Sequence, residues 1–433
     1  MNKLLPTDGI PEYVMETEWE HVILLSADAL RADHLSCYGY HRETSPEIDA
    51  LAEESMVFEH AHSVSSHTRE AVPALLTGKY PDEAVDGNYH LREPSIASTL
   101  SEGGFVTAAF HSNPFVSRAY GFDRGFETFD DDLHLGQHKL LALAQRALDK
   151  LRGRNYARAD EINDRALSWI DSLDRDDSFF LWNHYMDTHG PYEPPGPYDD
   201  VYAGSHNDRD VRSLYQRAID EPDSITTEER ETLIDLYDGE IRYLDNYIGE
   251  FLNELQSRDL LERSLVVFTA DHGDAFGEHG YYEHPRYLDE ELTHVPLLIQ
   301  TPGERTETVS TPVSTLDIVA TIETCLGLNQ GGDGASLFGS MDVNRTVFMQ
   351  ARGVNDYESI RRYAARSIGD MCSCEWNRDS ELIKFEECTD RALQSRLEDY
   401  VISRTRNVQG RETDAEDNVN TEVSRRLDAL GYK

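Results

Sequence analysis

The chain has 433 residues, enough for one large domain or two to three ordinary ones. It carries 82 acidic against 40 basic residues, a formal net charge of −42, which argues against nucleic acid or an anionic membrane as partner because like charges repel. The acids are evenly spread and only six of the basic residues are lysine, a pattern that predicts a surface kept solvated in high salt.

Residues 1–20 form a polar extension interrupted by Pro6 and Pro11, without the basic start and apolar core of a secretory signal. No apolar run approaches the roughly 20 residues that span a bilayer. The expectation is a chain without a membrane span, located in a high-salt cytoplasm. Residues 21–26 (His-Val-Ile-Leu-Leu-Ser) read as an apolar strand that delivers Asp28 to its carboxyl end. A Ser-Pro start opens a helix over 45–54, and residues 71–76 form a short helix after Thr68. Residues 107–111 read as a strand, and 139–151 and 160–173 as amphipathic helices. The apolar strand 178–183 leads to His184 and His189. Residues 191–227 lack a period and read as an insertion or lid over the site, with room for short helices. One long helix is expected over 228–258, bounded by Thr227, and the strand 264–269 then delivers Asp271 and His272. Residues 295–300 form a further strand and 315–326 a helix.

From about residue 343 the pattern changes. Residues 347–351 and 363–368 look like antiparallel strands, and 390–404 like a charged helix. The predicted organisation is an extension (1–20), an α/β domain (21–342) and a small carboxy-terminal subdomain (343–433). Strands alternating with helices imply a doubly wound sheet. The cysteines are Cys37, Cys325, Cys372, Cys374 and Cys388, an odd and scattered set that reads as reduced thiols. Cys372-x-Cys374 is a weak metal candidate, with only Cys388 near it in sequence.

In an open α/β sheet, ligands bind at the carboxyl ends of the strands. Asp28, Asp271 and His272 arrive there, and two carboxylates with an imidazole are ligand types that a divalent metal takes. Mn²⁺, Zn²⁺, Mg²⁺ and Ca²⁺ all remain open. Helix capping is the alternative reading of Asp28.

Several segments, in order along the chain, carry a family resemblance. They are Ser26-Ala27-Asp28-Ala29-Leu30-Arg31-Ala32-Asp33-His34, Thr44-Ser45-Pro46-Glu47-Ile48-Asp49, Leu75-Leu76-Thr77-Gly78, Tyr237-Asp238-Gly239-Glu240 and Asp271-His272-Gly273-Asp274-Ala275-Phe276-Gly277-Glu278-His279-Gly280, with Arg426-Leu427-Asp428 near the end. Together the chain resembles the sulfatase-like hydrolases of the alkaline phosphatase superfamily. The resemblance implies a mixed, doubly wound sheet flanked by helices, with a small α+β subdomain at the carboxyl end.

The family's sulfatases place a cysteine, later formylglycine, ahead of Leu-Thr-Gly, with proline two residues on and arginine four residues on. Here those positions hold Thr68, Glu70 and Val72, so no formylglycine is expected. Threonine is the nucleophile in relatives such as nucleotide phosphodiesterases and lipoteichoic acid synthases. A bare hydroxyl attacks poorly at neutral pH, but metal coordination lowers its pKa and aims it, and a helix amino terminus favours the attacked anion. The alternative is that Thr68 only caps its helix.

By resemblance, Thr68 joins Asp28, Asp271 and His272 at the metal. His189 touches the transferred group or protonates the leaving group, and His284 stands where many members carry lysine. Asn113 and Arg69 are candidate substrate contacts, Arg69 replacing the missing arginine. His279 either contacts substrate or packs its loop. His184 reads as a core histidine, and Arg31 as an organiser of the first loop. The implied activity is metal-dependent hydrolysis of phosphate (diester, monoester or phosphonate) or sulfate esters, on a small-molecule, glycan or lipid-linked anionic substrate. The alternatives are transfer to an acceptor alcohol, as in phosphoglycerol and phosphoethanolamine transferases, and a non-catalytic family member.

Overall fold

The computed structural model describes residues 19–132, 156–202, 210–303, 305–328, 331–353, 358–386 and 388–408. The helix expected over 139–151, the extension up to residue 18 and the final Arg426-Leu427-Asp428 segment lie outside the described residues.

The strands, in chain order, are β1 (His21–Ala27), β2 (Met56–Phe58), β3 (Ala61–His62), β4 (Val106–His111), β5 (Thr128–Asp130), β6 (Phe179–Tyr185), β7 (Ser264–Ala270), β8 (Ala275–Phe276), β9 (Tyr282–Glu283), β10 (Leu297–Gln300), β11 (Glu307–Val309) and β12 (Val313–Ser314). Eight of them make one sheet in the order β11-β2-β10-β7-β1-β6-β4-β5. β10 runs antiparallel to both of its neighbours, and β7, β1, β6, β4 and β5 run parallel to one another. The sheet is therefore mixed, as expected.

β1 is buried along its whole length because helices cover both faces of the sheet. Ile23, Leu25 and Ala27 pack with Leu236, Ile241 and Leu244 of the helix Thr227–Ser257 and with Ile162 and Ala166 of the helix Ala159–Ile170. Val22 and Leu24 face the other way, toward Val72, Leu75 and Leu76 of the helix Thr68–Thr77 and Ile318 and Ile322 of the helix Asp317–Cys325. The long helix starts where Thr226 and Glu229 form a capping box, each side chain bonding to the other's backbone N–H. Its cap is thus one residue earlier than the Thr227 boundary read from sequence. The 191–227 stretch contains the helix Val211–Asp220, which Asp210 caps through the Ser213 amide.

A second, antiparallel sheet follows: β13 (Val347–Arg352), β14 (Ile360–Ser367), β15 (Asp370–Asn377) and β16 (Leu382–Glu386). The helix Arg391–Val408 packs Leu393, Leu397 and Val401 against Tyr363, Cys374 and Trp376 of this sheet. Two strands were legible in the sequence and four are present. Cys372 is disulfide-bonded to Cys388. This corrects the expectation of reduced thiols throughout, and cysteine usage no longer supports a reducing compartment.

Candidate active site

Register places the chemistry. Ala27 of β1 pairs with Ala270 of β7, so Asp28 and Asp271 leave adjacent parallel strands side by side. The Asp28 amide donates to the Tyr185 carbonyl at 2.8 Å and the Asp271 amide to the Ala27 carbonyl at 3.1 Å, extending the ladder to both carboxylates. On the other flank of β1, Ser26 pairs with His184 of β6. A slip of β1 by one residue would carry Asp28 into the strand interior without its partners, at a cost of several kcal/mol.

Asp28, Asp271 and His272 are all buried. Asp271 Oδ1 accepts from the Ala29 and His272 amides at 3.2 and 2.8 Å. Its other oxygen, Oδ2, has no hydrogen-bond partner, and neither has Asp28 Oδ1. His272 Nδ1–H donates to the Gly273 carbonyl at 2.9 Å, leaving the Nε2 lone pair 3.6 Å from Asp28 Oδ1 and 3.6 Å from Asp271 Oδ2. Gly273 is required here because a Cβ would run into the Glu291 carbonyl.

His184 corrects the sequence reading. It is buried, but it is not a satisfied core histidine: Nδ1 bonds to Ser26 Oγ at 3.0 Å, while Nε2 lies 3.5 Å from Asp28 Oδ2 with no hydrogen-bond partner. Ser26 is fixed in turn by Trp182 Nε1 at 3.0 Å. Ligand atoms of Asp28, His184 and Asp271 lie within 4.8 Å of one another. The available signal was position, since His184 ends a strand directly beside the one bearing Asp28.

Two buried carboxylates this close repel when both are ionised. Burial opposes ionisation of Asp28, but His189, His184 and His272 hold its carboxyl below the usual range. Burial and the neighbouring Asp28 push Asp271 up. Burial also lowers His272, which keeps its imidazole neutral, the form that binds metal. A divalent cation would relieve the carboxylate repulsion and occupy the unsatisfied oxygens and nitrogen together. The donor set therefore fits such an ion, held by Asp28, Asp271, His184 and His272.

Thr68 is the first residue of its helix rather than a residue ahead of it. His67 takes the cap, its ring Nδ1 accepting from the Arg69 amide at 3.2 Å. The Thr68 hydroxyl is thus released from capping, and its oxygen lies 3.2 Å from His272 Nε2 and 3.4 Å from Asp28 Oδ2. Gly78 closes the helix with φ +65°, a conformation that suits glycine.

Three further candidates gather at the same place. Asn113 Nδ2 donates to Asp28 Oδ2 at 2.6 Å, so it contacts a candidate ligand carboxylate directly. His189 donates from Nδ1 to the Gly190 carbonyl at 2.6 Å. Burial disfavours its charge, yet Asp28, Asp274 and Glu283 raise its pKa. The His284 ring lies 5.1 Å from that of His189 and 4.5 Å from that of His272, and Asp274 accepts from its Nδ1 at 3.0 Å. Tyr192, from the stretch read as an insertion, donates to the second oxygen of Asp274. Asp274 lies within the Asp271–Gly280 motif, and its role becomes visible only in the fold.

The remaining candidates lie apart. His279 is exposed and pairs with Glu291 at 3.1 Å, a loop contact. Arg69 stacks 4.2 Å over Phe115 rather than turning toward Asp28. Arg31 holds Asp33 and Glu278 together, each at 2.8 Å, in the organising role expected.

Comparison with known proteins places the chain in a family. Iduronate 2-sulfatase of Homo sapiens is 26% identical over 339 residues, covering 66% of this chain and 60% of that protein. N-acetylglucosamine-6-O-sulfatase of Bacteroides thetaiotaomicron is 22% identical over 370 residues, covering 66% and 64%. The match thus takes in less than two thirds of the length of these curated relatives. Among solved structures, the phosphonate monoester hydrolase from Silicibacter pomeroyi has the same fold, with a TM-score of 0.69 at 18% identity over 93% of this chain and 98% of that one. The sulfatase family profile matches residues 20–328, a stretch holding every candidate residue from Asp28 to His284, and the chain belongs to the sulfatase family.

Proposed function

We propose that the chain is a metal-dependent hydrolase that cleaves phosphate, phosphonate or sulfate esters with Thr68 as nucleophile. One observation carries the reading: the Thr68 oxygen sits at a helix start, 3.2 Å from His272 Nε2, beside buried Asp28, Asp271 and His184 atoms that lack partners. A bound divalent cation supplies the charge that favours the alkoxide form of the hydroxyl and neutralises the group under attack. Thr68 Oγ1 forms a bond to phosphorus or sulfur as the bond to the ester oxygen breaks. His189 or His284 gives a proton to that departing oxygen. Water then attacks the threonyl ester and passes a proton to the same histidine, restoring Thr68. Asn113 steadies Asp28, and Asp274 orients His284. Phosphorus esters are preferred, because threonine cannot become the formylglycine on which the family's sulfate chemistry rests. The even acidic surface further suits the enzyme to high salt.

Relatives are a sulfatase acting on iduronate, by its name, and phosphonate monoester hydrolases, so both ester classes belong in the test. The experiment measures metal content and turnover of nitrophenyl phosphate monoesters, diesters, phosphonates and sulfates. Thr68→Ala should lower turnover by at least about 10³-fold while metal content stays within error of the parent. Turnover near the parent's would overturn the nucleophile assignment.

A further inference from the structure

Beside the nucleophile, three guanidinium groups surround one aromatic ring. The Cζ atoms of Arg69, Arg286 and Arg352 lie 5.0, 5.5 and 5.2 Å from the centre of Tyr89. They come from three separate places: the helix of Thr68, the loop after His284, and β13 of the second sheet. Tyr89 itself is held with φ +62°, a backbone conformation uncommon outside glycine.

The charges around this ring do not balance. Glu70 is the carboxylate that meets the group: Arg286 Nη1 reaches its Oε1 at 2.5 Å and Arg352 Nε lies 4.0 Å away. Glu70 also accepts from Ser65 Oγ at 2.7 Å and from the Arg352 amide at 3.3 Å. Arg352 spends its terminal nitrogens on the carbonyls of Asp86, Pro81 and Val85 at 2.8, 3.2 and 3.3 Å. Arg69 is different. Among the described residues its guanidinium has neither a hydrogen bond nor an ion pair, only the faces of Phe115 and Tyr89. Carboxylates outnumber cations two to one in this chain, so an arginine without one needs a reason.

Stacking supplies part of it. A guanidinium held against aromatic faces keeps its N–H edge free and loses little further freedom on binding an anion. Direction supplies the rest. The Thr68 side chain turns to Asp28 and His272, whereas the next side chain, Arg69, turns to Phe115 and Tyr89. The two adjacent side chains thus face different neighbours, an arrangement suited to gripping two groups of one substrate.

We propose that Arg69, backed by Arg286 and Arg352 around Tyr89, binds a second anionic group on the organic part of the substrate, a carboxylate, sulfate or phosphate. The enzyme would then select esters that carry negative charge at two positions. This rests on the reading of Thr68 as nucleophile, but the binding test does not need turnover. Benzene-1,3-disulfonate and benzenesulfonate are titrated into the cation-supplemented protein by calorimetry at one ionic strength, because salt screens such contacts. The disulfonate should bind at least tenfold more tightly. In Arg69→Met the two probes should bind within about twofold of each other, and Arg69→Lys should keep part of the difference by retaining the charge. Equal affinity in the parent, no measurable binding of the disulfonate, or a preference that survives Arg69→Met would overturn the proposal. If Thr68→Ala retained turnover while the disulfonate preference still depended on Arg69, the nucleophile reading would fall and the anion subsite would stand.

Discussion

Ser26 reaches the chemistry only through another side chain. Its hydroxyl fixes Nδ1 of His184 and is itself fixed by Trp182, so the direction of His184 Nε2 depends on a chain of two hydrogen bonds. Partners of this kind set ring orientation and typically account for about 10- to 100-fold in metal affinity. Ser26→Ala should weaken cation binding by about tenfold with little change in melting temperature of the cation-free protein. Equilibrium dialysis against Mn²⁺ or Zn²⁺ measures the first, and unchanged affinity would remove His184 from the ligand set. His21, at the opposite end of the same strand, is buried against Phe179 with neither ring nitrogen hydrogen-bonded. Burial, and then the charge of Arg263, push its pKa down to about 4. The unfolded chain takes up this proton near pH 6.5 and the folded chain does not, so stability is lost as pH falls from about 6.5 to about 4. The full effect is about 3 kcal/mol. His21→Phe should flatten this part of the stability profile in urea denaturation between pH 4 and 7. An unaltered slope would show that the proton is taken up elsewhere.

At the scale of elements, legibility followed local pattern. Apolar runs announced β1, β6 and β7 because strands covered on both faces need no polar alternation. The long helix was readable from its period, and only its cap moved, because Thr226 and Thr227 are equivalent as local signals. Short strands such as β2, β3, β8 and β9 carry two or three residues each and leave no pattern to detect. The same division holds within the site. Asp28, Thr68, Asp271 and His272 stand in motifs that survive as strings of sequence. His184, Ser26 and the partners of Arg69 around Tyr89, Arg286 and Arg352, are assembled by strand register and sheet docking, which no single segment encodes. The disulfide between Cys372 and Cys388 belongs with them, since β15 and the segment after β16 meet only in three dimensions.

Across the whole molecule, the second sheet is joined by polar contacts to the loops and helices around the site. The Gln350 amide donates to the Val64 carbonyl at 2.8 Å, the Arg352 amide to Glu70, and Arg366 pairs with Glu290. Arg404 of the helix Arg391–Val408 pairs with Asp82 and Glu83. These pairs form against a net charge of −42, whose self-repulsion destabilises the compact state at low ionic strength. Screening by salt should relieve more repulsion than it removes attraction. The melting temperature should therefore rise steadily from 0.1 to 2 M KCl in differential scanning calorimetry. A flat or falling trend would count against adaptation of this surface to high salt.

The central place of β1 has a consequence for how the protein is made. This strand leaves the ribosome well before either of its neighbours, since β6 and β7 begin far downstream at residues 179 and 264. At 5–20 residues per second, about 10 to 50 s separate the synthesis of Asp28 from that of Asp271. Until residue 179 this apolar segment has both edges open, and until residue 264 the edge that β7 covers stays open, so the candidate site is incomplete throughout. Nascent chains of this protein are thus expected to depend on holding chaperones until β7 emerges, and any product stopped short of Asp271 will lack one of the two paired carboxylates and His272.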